Sequence, residues 1–246
     1  MTGGWLEGRT ALVTGAAVRV GRSIALALAE RGANVIVHYR SSGEEAEATC
    51  ADLRALGVQA WSIAADLGAP DQAAELIPRA AALAGPVHAL VNSASIFGPS
   101  TLADMTLEQV IANLTVNAWA PFALMRGLAA QEIDAGRVVN LLDTRVQGLD
   151  LDHAAYILSK HALLQLTRMA AVELAPRITV NAVAPGLILP PPGEDESYLE
   201  ALAESLPLKR HGSAEDLADA VAYLLAADFV TGQVVFVDGG RHVREE

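Results

Sequence analysis

The sequence predicts an α/β domain whose parallel sheet of about seven strands is doubly wound, with helices on both faces. Three observations predict it. Short apolar, β-branched runs alternate with longer segments of helical period along the chain. Much of the apolar content is Ala, Val and Leu, the composition of buried parallel strands covered by small-residue helices. No internal repeat or linker divides the 246 residues, so a single domain spans 1–246.

The elements follow in order. Residues 10–14 read as a strand and 20–31 as a helix; 34–39 is a second strand and 44–56 its helix. Residues 59–64 form a third strand with a helix after Pro70, and 89–92 a fourth with a helix over 106–125. A fifth strand at 137–142 leads to a long helix at 154–174, and a sixth lies at 178–183. A helix near 214–226 precedes the last strand at 234–237. Right-handed crossovers place the loops after the strands along one edge, where ligands bind. The acidic Pro-rich segment 190–196 cannot continue a strand. It reads as a solvated surface loop or as a lid beside the site.

Composition narrows the partners. With 52% hydrophobic and 19% charged residues the chain is not a disordered one. A net charge of −12 repels nucleic acid and anionic lipid, so neither is an expected partner. The single cysteine, Cys50, permits no internal disulfide and fits a reducing cytoplasm. Residues 1–8 lack the pattern of an export signal, and no uncharged stretch reaches membrane-spanning length. No metal-ligand set is read.

The first candidate site follows the first strand. Thr14-Gly15-Ala16-Ala17-Val18-Arg19-Val20-Gly21 turns tightly at Gly15 and opens a helix whose free N–H groups and dipole face a diphosphate. Two glycines six apart are weak by themselves; their place at the first strand of an alternating chain gives them weight as a dinucleotide loop. The second strand ends Tyr39-Arg40-Ser41, where an NAD site carries an acidic residue. Arg40 offers a planar fork suited to a 2′-phosphate, which favours NADPH; the bland reading is a cap on a surface turn.

The second site lies early in the long helix. Tyr156 and Lys160 are four residues apart and share a helix face. A neighbouring ammonium lowers a phenol's pKa, so this pair is expected to exchange a proton at a carbonyl oxygen or imine nitrogen. The chain has 15 Arg but two Lys, and one of the two stands here. The alternative is a surface Tyr and Lys.

Together these residues resemble the short-chain dehydrogenase/reductase family over nearly the whole chain. The resemblance implies a Rossmann-type fold and further roles. Asp66 with Leu67 is similar to the adenine-contacting Asp. Asn92-Ser93-Ala94-Ser95 is similar to the Asn-Asn-Ala-Gly motif at the cofactor. Asn117 is similar to the helix Asn of the proton relay. Pro185-Gly186, with Ile188 close behind, is similar to the segment beside the nicotinamide. Two positions depart: Arg19 replaces the usual middle Gly, and Asp143 stands in place of the usual catalytic Ser. Both departures, with Phe97 and the tail through Arg241-His242, resemble pteridine and dihydromonapterin reductases. In that reading Phe97 and the nicotinamide sandwich a pterin, Arg19 meets diphosphate and ring carbonyl, and Ser95, Asp143 and Tyr156 complete the substrate site. Asp143 is expected to help supply a proton to a ring nitrogen. The competing readings are an NADPH-dependent carbonyl reductase, such as one acting on 3-oxoacyl thioesters, and a non-catalytic NADP sensor. Family analogy implies a homo-oligomer, a tetramer built on the long helices.

Overall fold

The structure, a computed structural model, describes residues 4–191 and 193–244. Expectations placed on residues 1–3, on Pro192 within the 190–196 loop, and on residues 245–246 lie outside them. Seven strands form one parallel sheet: β1 (Thr10–Val13), β2 (Asn34–Tyr39), β3 (Ala60–Ala64), β4 (Val87–Asn92), β5 (Gly136–Leu141), β6 (Ile178–Pro185) and β7 (Val234–Val237). Their spatial order is β3-β2-β1-β4-β5-β6-β7. β1 pairs with β2 through Leu12 and Ile36 and with β4 through Leu12 and Leu90. The winding reverses at that pair of junctions, and a crevice opens beyond the strand ends.

The inner strands β1, β2, β4, β5 and β6 are largely buried, which is why their apolar runs are continuous, while the edge strands β3 and β7 are partly exposed. On one face α1 (Arg19–Ala29) and α8 (Ala214–Ala226) cover Val13, Val35 and Val91; on the other α3 (Pro70–Ala84) and α5 (Ala120–Ala129) cover Leu12, Ile36 and Leu90. A side chain at Gly127 would come within 3.0 Å of Ile77 Cβ, so α5 approaches α3 only through glycine. Capping boxes start α4 (Leu107–Leu114), with Thr106 and Gln109, and α8, with Ser213 and Asp216.

One expectation is corrected. The helix read over 106–125 is interrupted: α4 ends at Leu114, a π turn runs Thr115–Trp119, and α5 follows. Pro121, at the start of α5, lacks the N–H an uninterrupted helix uses there, and the wider turn carries Asn117 into the interior. From the end of the 190–196 loop, over residues to which the sequence assigns no element, runs α7 (Glu196–Ala203). Asp195 caps it by accepting from Ser197 N, and Leu199 and Ala203 are buried. The remaining helices, α2 (Gly43–Ala55) and α6 (Ala154–Glu173), lie where the sequence puts them. Among the described residues no helix is long and apolar enough to cross a membrane.

Candidate active site

A cleft of about 660 Å³ opens at the β1/β4 crevice. Its floor is the Gly15–Gly21 turn, and its sides are the ends of β2, β3 and β4. Of the residues expected at a cofactor, Gly15, Arg19, Val20, Gly21, Tyr39, Arg40, Ser41, Asp66, Leu67, Ala94 and Ser95 line it. Asn92, Tyr156, Lys160, Pro185, Gly186 and Ile188, also expected at the cofactor, do not. Asn92 points inward and donates to Asn140 Oδ1 at 2.8 Å, tying β4 to β5. Pro185 ends β6, a Cβ on Gly186 would sit 2.7 Å from Asp238 Cα, and Ile188 is buried against Gly212.

The floor fits a diphosphate. A Cβ on Gly21 would lie 2.2 Å from the Gly15 carbonyl oxygen, so only glycine lets α1 begin directly on the turn. Val18 gives α1 no side-chain cap and its first turn has no carboxylate, which leaves N–H groups for an anion. His38 braces the turn. Its Nδ1 accepts from Gly15 N at 3.1 Å, so Nε2 carries the ring proton toward Ala65 O at 3.1 Å. Burial drives its pKa down to about 4, and the ring adds no charge to the site. Thr14 Oγ1 accepts from the N–H groups of Ser93 and Ala94 at 2.9 and 3.0 Å, joining the turn to the β4 end. Sequence reasoning passed over His38 because a strand-interior His carries no motif.

Two charged residues of the cleft behave differently. Arg40 is exposed at the end of β2 and makes no hydrogen bond or ion pair among the described residues; its fork is uncommitted. Arg19 has a positive φ of 55°, and its Nη2 donates to the Pro190 carbonyl oxygen at 2.6 Å. The start of the 190–196 segment is thus joined to the phosphate turn.

The proton-handling residues meet at the end of β5 and the start of α6. The Tyr156 hydroxyl donates to Asp143 Oδ2 at 3.1 Å. Lys160, 3% exposed, donates to Leu141 O at 2.7 Å. Asn117 bridges this group to the cleft: Nδ2 donates to Ile96 O and to Ser159 Oγ, both at 3.0 Å, and Oδ1 accepts from the Ser95 hydroxyl at 3.0 Å. Phe97 is 52% exposed; its ring stacks on His153 at 4.1 Å and meets the Tyr156 ring edge-on at 4.8 Å.

Two chemical expectations are overturned here. The first concerns Tyr156, whose phenol is raised well above its ordinary pKa, not lowered. Burial raises it, and the Asp143 carboxylate raises it further. The Lys160 ammonium stays 5.5 Å from the ring centroid, committed to a carbonyl, while burial lowers its own pKa to about 8. The second concerns Asp143, whose carboxyl is held in its ionised, acceptor form. Burial pushes its pKa up, but hydrogen bonds and charge from Arg145 outweigh that and hold it below the ordinary carboxylate value. Arg145 Nε and Nη2 donate to its two oxygens, each at 2.9 Å. Arg145 escaped sequence reasoning, since a two-residue spacing outside helix or strand carries no periodic signal.

The arrangement is a dinucleotide cleft leading to a neutral phenol, an acceptor carboxylate and a half-exposed aromatic ring. Known proteins similar to this chain include reductases and structures complexed with NADP or NADPH. The family described as Enoyl-(Acyl carrier protein) reductase matches residues 15–242. The chain is 36% identical to the 3-oxoacyl-(acyl-carrier-protein) reductase FabG of Staphylococcus epidermidis, over 96% of this chain and 99% of that one. Among solved structures it is similar to FolM Alternative dihydrofolate reductase 1 of Brucella canis complexed with NADP. That likeness has a TM-score of 0.91 and 34% identity, covering 98% of this chain and 97% of the other. It is also similar to a blue fluorescent protein from a metagenomic library in complex with NADPH. There the TM-score is 0.89 at 35% identity, over 96% of this chain and 98% of that one.

Proposed function

The chain belongs to the short-chain dehydrogenase/reductase family, and on that premise we propose that this NADPH-dependent oxidoreductase reduces a dihydropterin-type ring. The observation that carries the substrate class is Phe97, a half-exposed aromatic ring 4.8 Å from the ring of the proton donor Tyr156. A flat heterocycle gains stacking there. The Asp143 carboxylate supports the same reading: it is an acceptor, and a pterin brings N–H groups to it.

NADPH supplies a hydride when bound. Gly15, Gly21 and the start of α1 hold the diphosphate, Arg40 and Ser41 the 2′-phosphate, and Asp66 with Leu67 the adenine side. Lys160 has N–H donors beyond the one given to Leu141 O, for the ribose hydroxyls. Tyr156 gives its proton to the nitrogen of the C=N bond being reduced, so one hydride and one proton add across that bond. Asp143 keeps the phenol oriented, and Arg145 offsets the negative charge left on the phenol oxygen. Arg19, Ser95 and Phe97 border the substrate's place.

The second reading is a carbonyl reductase of 3-oxoacyl thioesters, favoured by the identity to the Staphylococcus epidermidis enzyme. A ketone offers no N–H to the acceptor oxygens of Asp143. An oligomer built on the long helices is part of the proposal. α4 and α6 pack side by side and leave Leu107, Ile111, Leu158, Met169 and Val172 exposed.

Paired variants test the substrate class. Phe97→Ala should lower kcat/KM for a dihydropterin roughly tenfold by removing an aromatic stacking contact, with a small ketone spared. Asp143→Ser should lower pterin reduction while keeping or improving ketone reduction. Equal losses on both substrates would sink the assignment.

A further inference from the structure

We propose that Arg145 is a positioning residue for the reduction: its guanidinium holds the Asp143 carboxylate against the Tyr156 hydroxyl and ties that pair to the Phe97 ring. The inference rests on the reductase reading but not on the choice between pterin and thioester.

Six residues form a closed circuit. Tyr156 donates to Asp143 at 3.1 Å, and Asp143 takes both arms of Arg145 at 2.9 Å and the Arg145 main-chain N–H at 2.9 Å. Arg145 Nη1 donates to Asp150 Oδ2 at 2.5 Å. Asp150 is anchored in turn by the main-chain N–H groups of Asp152 and His153, each at 3.0 Å, and pairs with the His153 ring at 3.1 Å. His153 stacks on Phe97, and Phe97 returns to Tyr156 edge-on. The Arg145 side chain is 20% exposed and its carbon Cζ lies 5.5 Å from the Phe97 ring centre. Lysine cannot reproduce this, because a point charge does not grip two carboxylate oxygens and a second carboxylate in one plane.

Arg145 acts through Asp143. A carboxyl 9% exposed and without a cation tends to take up a proton. Once protonated it no longer accepts from Tyr156 as an ion, and the phenol loses its fixed orientation. The charged and titratable groups around Asp143 are Arg145 on its own turn, Tyr156 and Lys160 from α6, and Asp150 and His153 from the intervening loop. Asp238 lies beyond Thr144, hydrogen-bonded to its hydroxyl, in the segment after β7. Of these, Arg145 alone hydrogen-bonds the carboxylate as a cation.

The sign of the pH effect follows. With Arg145 present, Asp143 stays ionised through the assay range, and kcat/KM shows no acid limb from it. In Arg145→Gln, burial acts unopposed by that cation, the Asp143 pKa rises, and kcat/KM falls as pH drops through the new value.

The test compares Arg145→Gln and Arg145→Lys with the unmodified protein. Two readouts are used: kcat/KM against pH on whichever of a dihydropterin or a 3-oxoacyl thioester is turned over, and the carboxyl-carbon NMR titration of Asp143 without substrate. The expected result for Arg145→Gln is an upward-shifted Asp143 titration, a matching acid limb, and kcat/KM at neutral pH lowered by roughly tenfold, the order set by one charged hydrogen bond. Arg145→Lys should keep the low titration and lose kcat with KM nearly unchanged; it also serves if the Gln variant does not fold. An unshifted Asp143 titration in Arg145→Gln, or an unchanged kcat in Arg145→Lys, overturns the proposal. Failure on pterin alone, with the shifts present, counts against the substrate class and leaves Arg145 in place.

Discussion

Tyr156→Phe is expected to reduce turnover by about 10²–10⁴-fold, the range associated with a positioned general acid, while NADPH binding stays near that of the unmodified protein. The hydroxyl faces Asp143, not the diphosphate turn, and Phe preserves the ring that packs beside Phe97. Because burial and Asp143 raise the phenol's pKa, the group is a neutral acid throughout the working range. Its activity should therefore show no loss from phenol ionisation near neutral pH. Single-turnover rates and NADPH affinity, measured on the same preparation, separate the two effects. Retention of most of the activity would mean that another group delivers the proton.

The second large effect is expected at Arg40. The unmodified protein should prefer NADPH over NADH, and Arg40→Asp should reverse the preference. Arg40 stands exposed at the end of β2, lining the cleft, with its fork uncommitted. A charged hydrogen bond to a phosphate is worth roughly 1.5–3 kcal/mol, so its loss costs about tenfold to over a hundredfold in NADPH use. A carboxylate in its place adds repulsion of the 2′-phosphate and an acceptor for the ribose hydroxyl of NADH. The ratio of kcat/KM for the two cofactors in both proteins is the check; equal use of both by the unmodified protein contradicts the assignment.

The fold was legible because a buried parallel strand writes itself as an uninterrupted apolar run, and β2, α6 and β7 begin where such periods begin. Legibility failed where tertiary demands overrode local period. The π turn at Thr115–Trp119 is set by the need to bring Asn117 to Ile96 and Ser159, which no local pattern announces. α7 was hidden by its acidic N-terminal residues, although Asp195 and Glu196 suit a helix start. In the site, Tyr156, Lys160 and the Gly15–Gly21 turn were readable because motif spacing and element ends coincide, and Asn117 only through the family resemblance. The protonation states were not. They depend on burial and on the charges of Arg145 and Asp150, which local spacing does not announce and which reverse two chemical expectations.

The most direct measurement is NADPH oxidation by the unmodified protein with dihydrobiopterin, dihydromonapterin and dihydrofolate, set against a 3-oxoacyl thioester under the same conditions. An NADPH-dependent pterin reductase with Phe97 as stacking platform and Asp143 as acceptor should oxidise NADPH with at least one dihydropterin at a higher kcat/KM than with the thioester. Turnover of the thioester alone would contradict that reading and make the chain a carbonyl reductase.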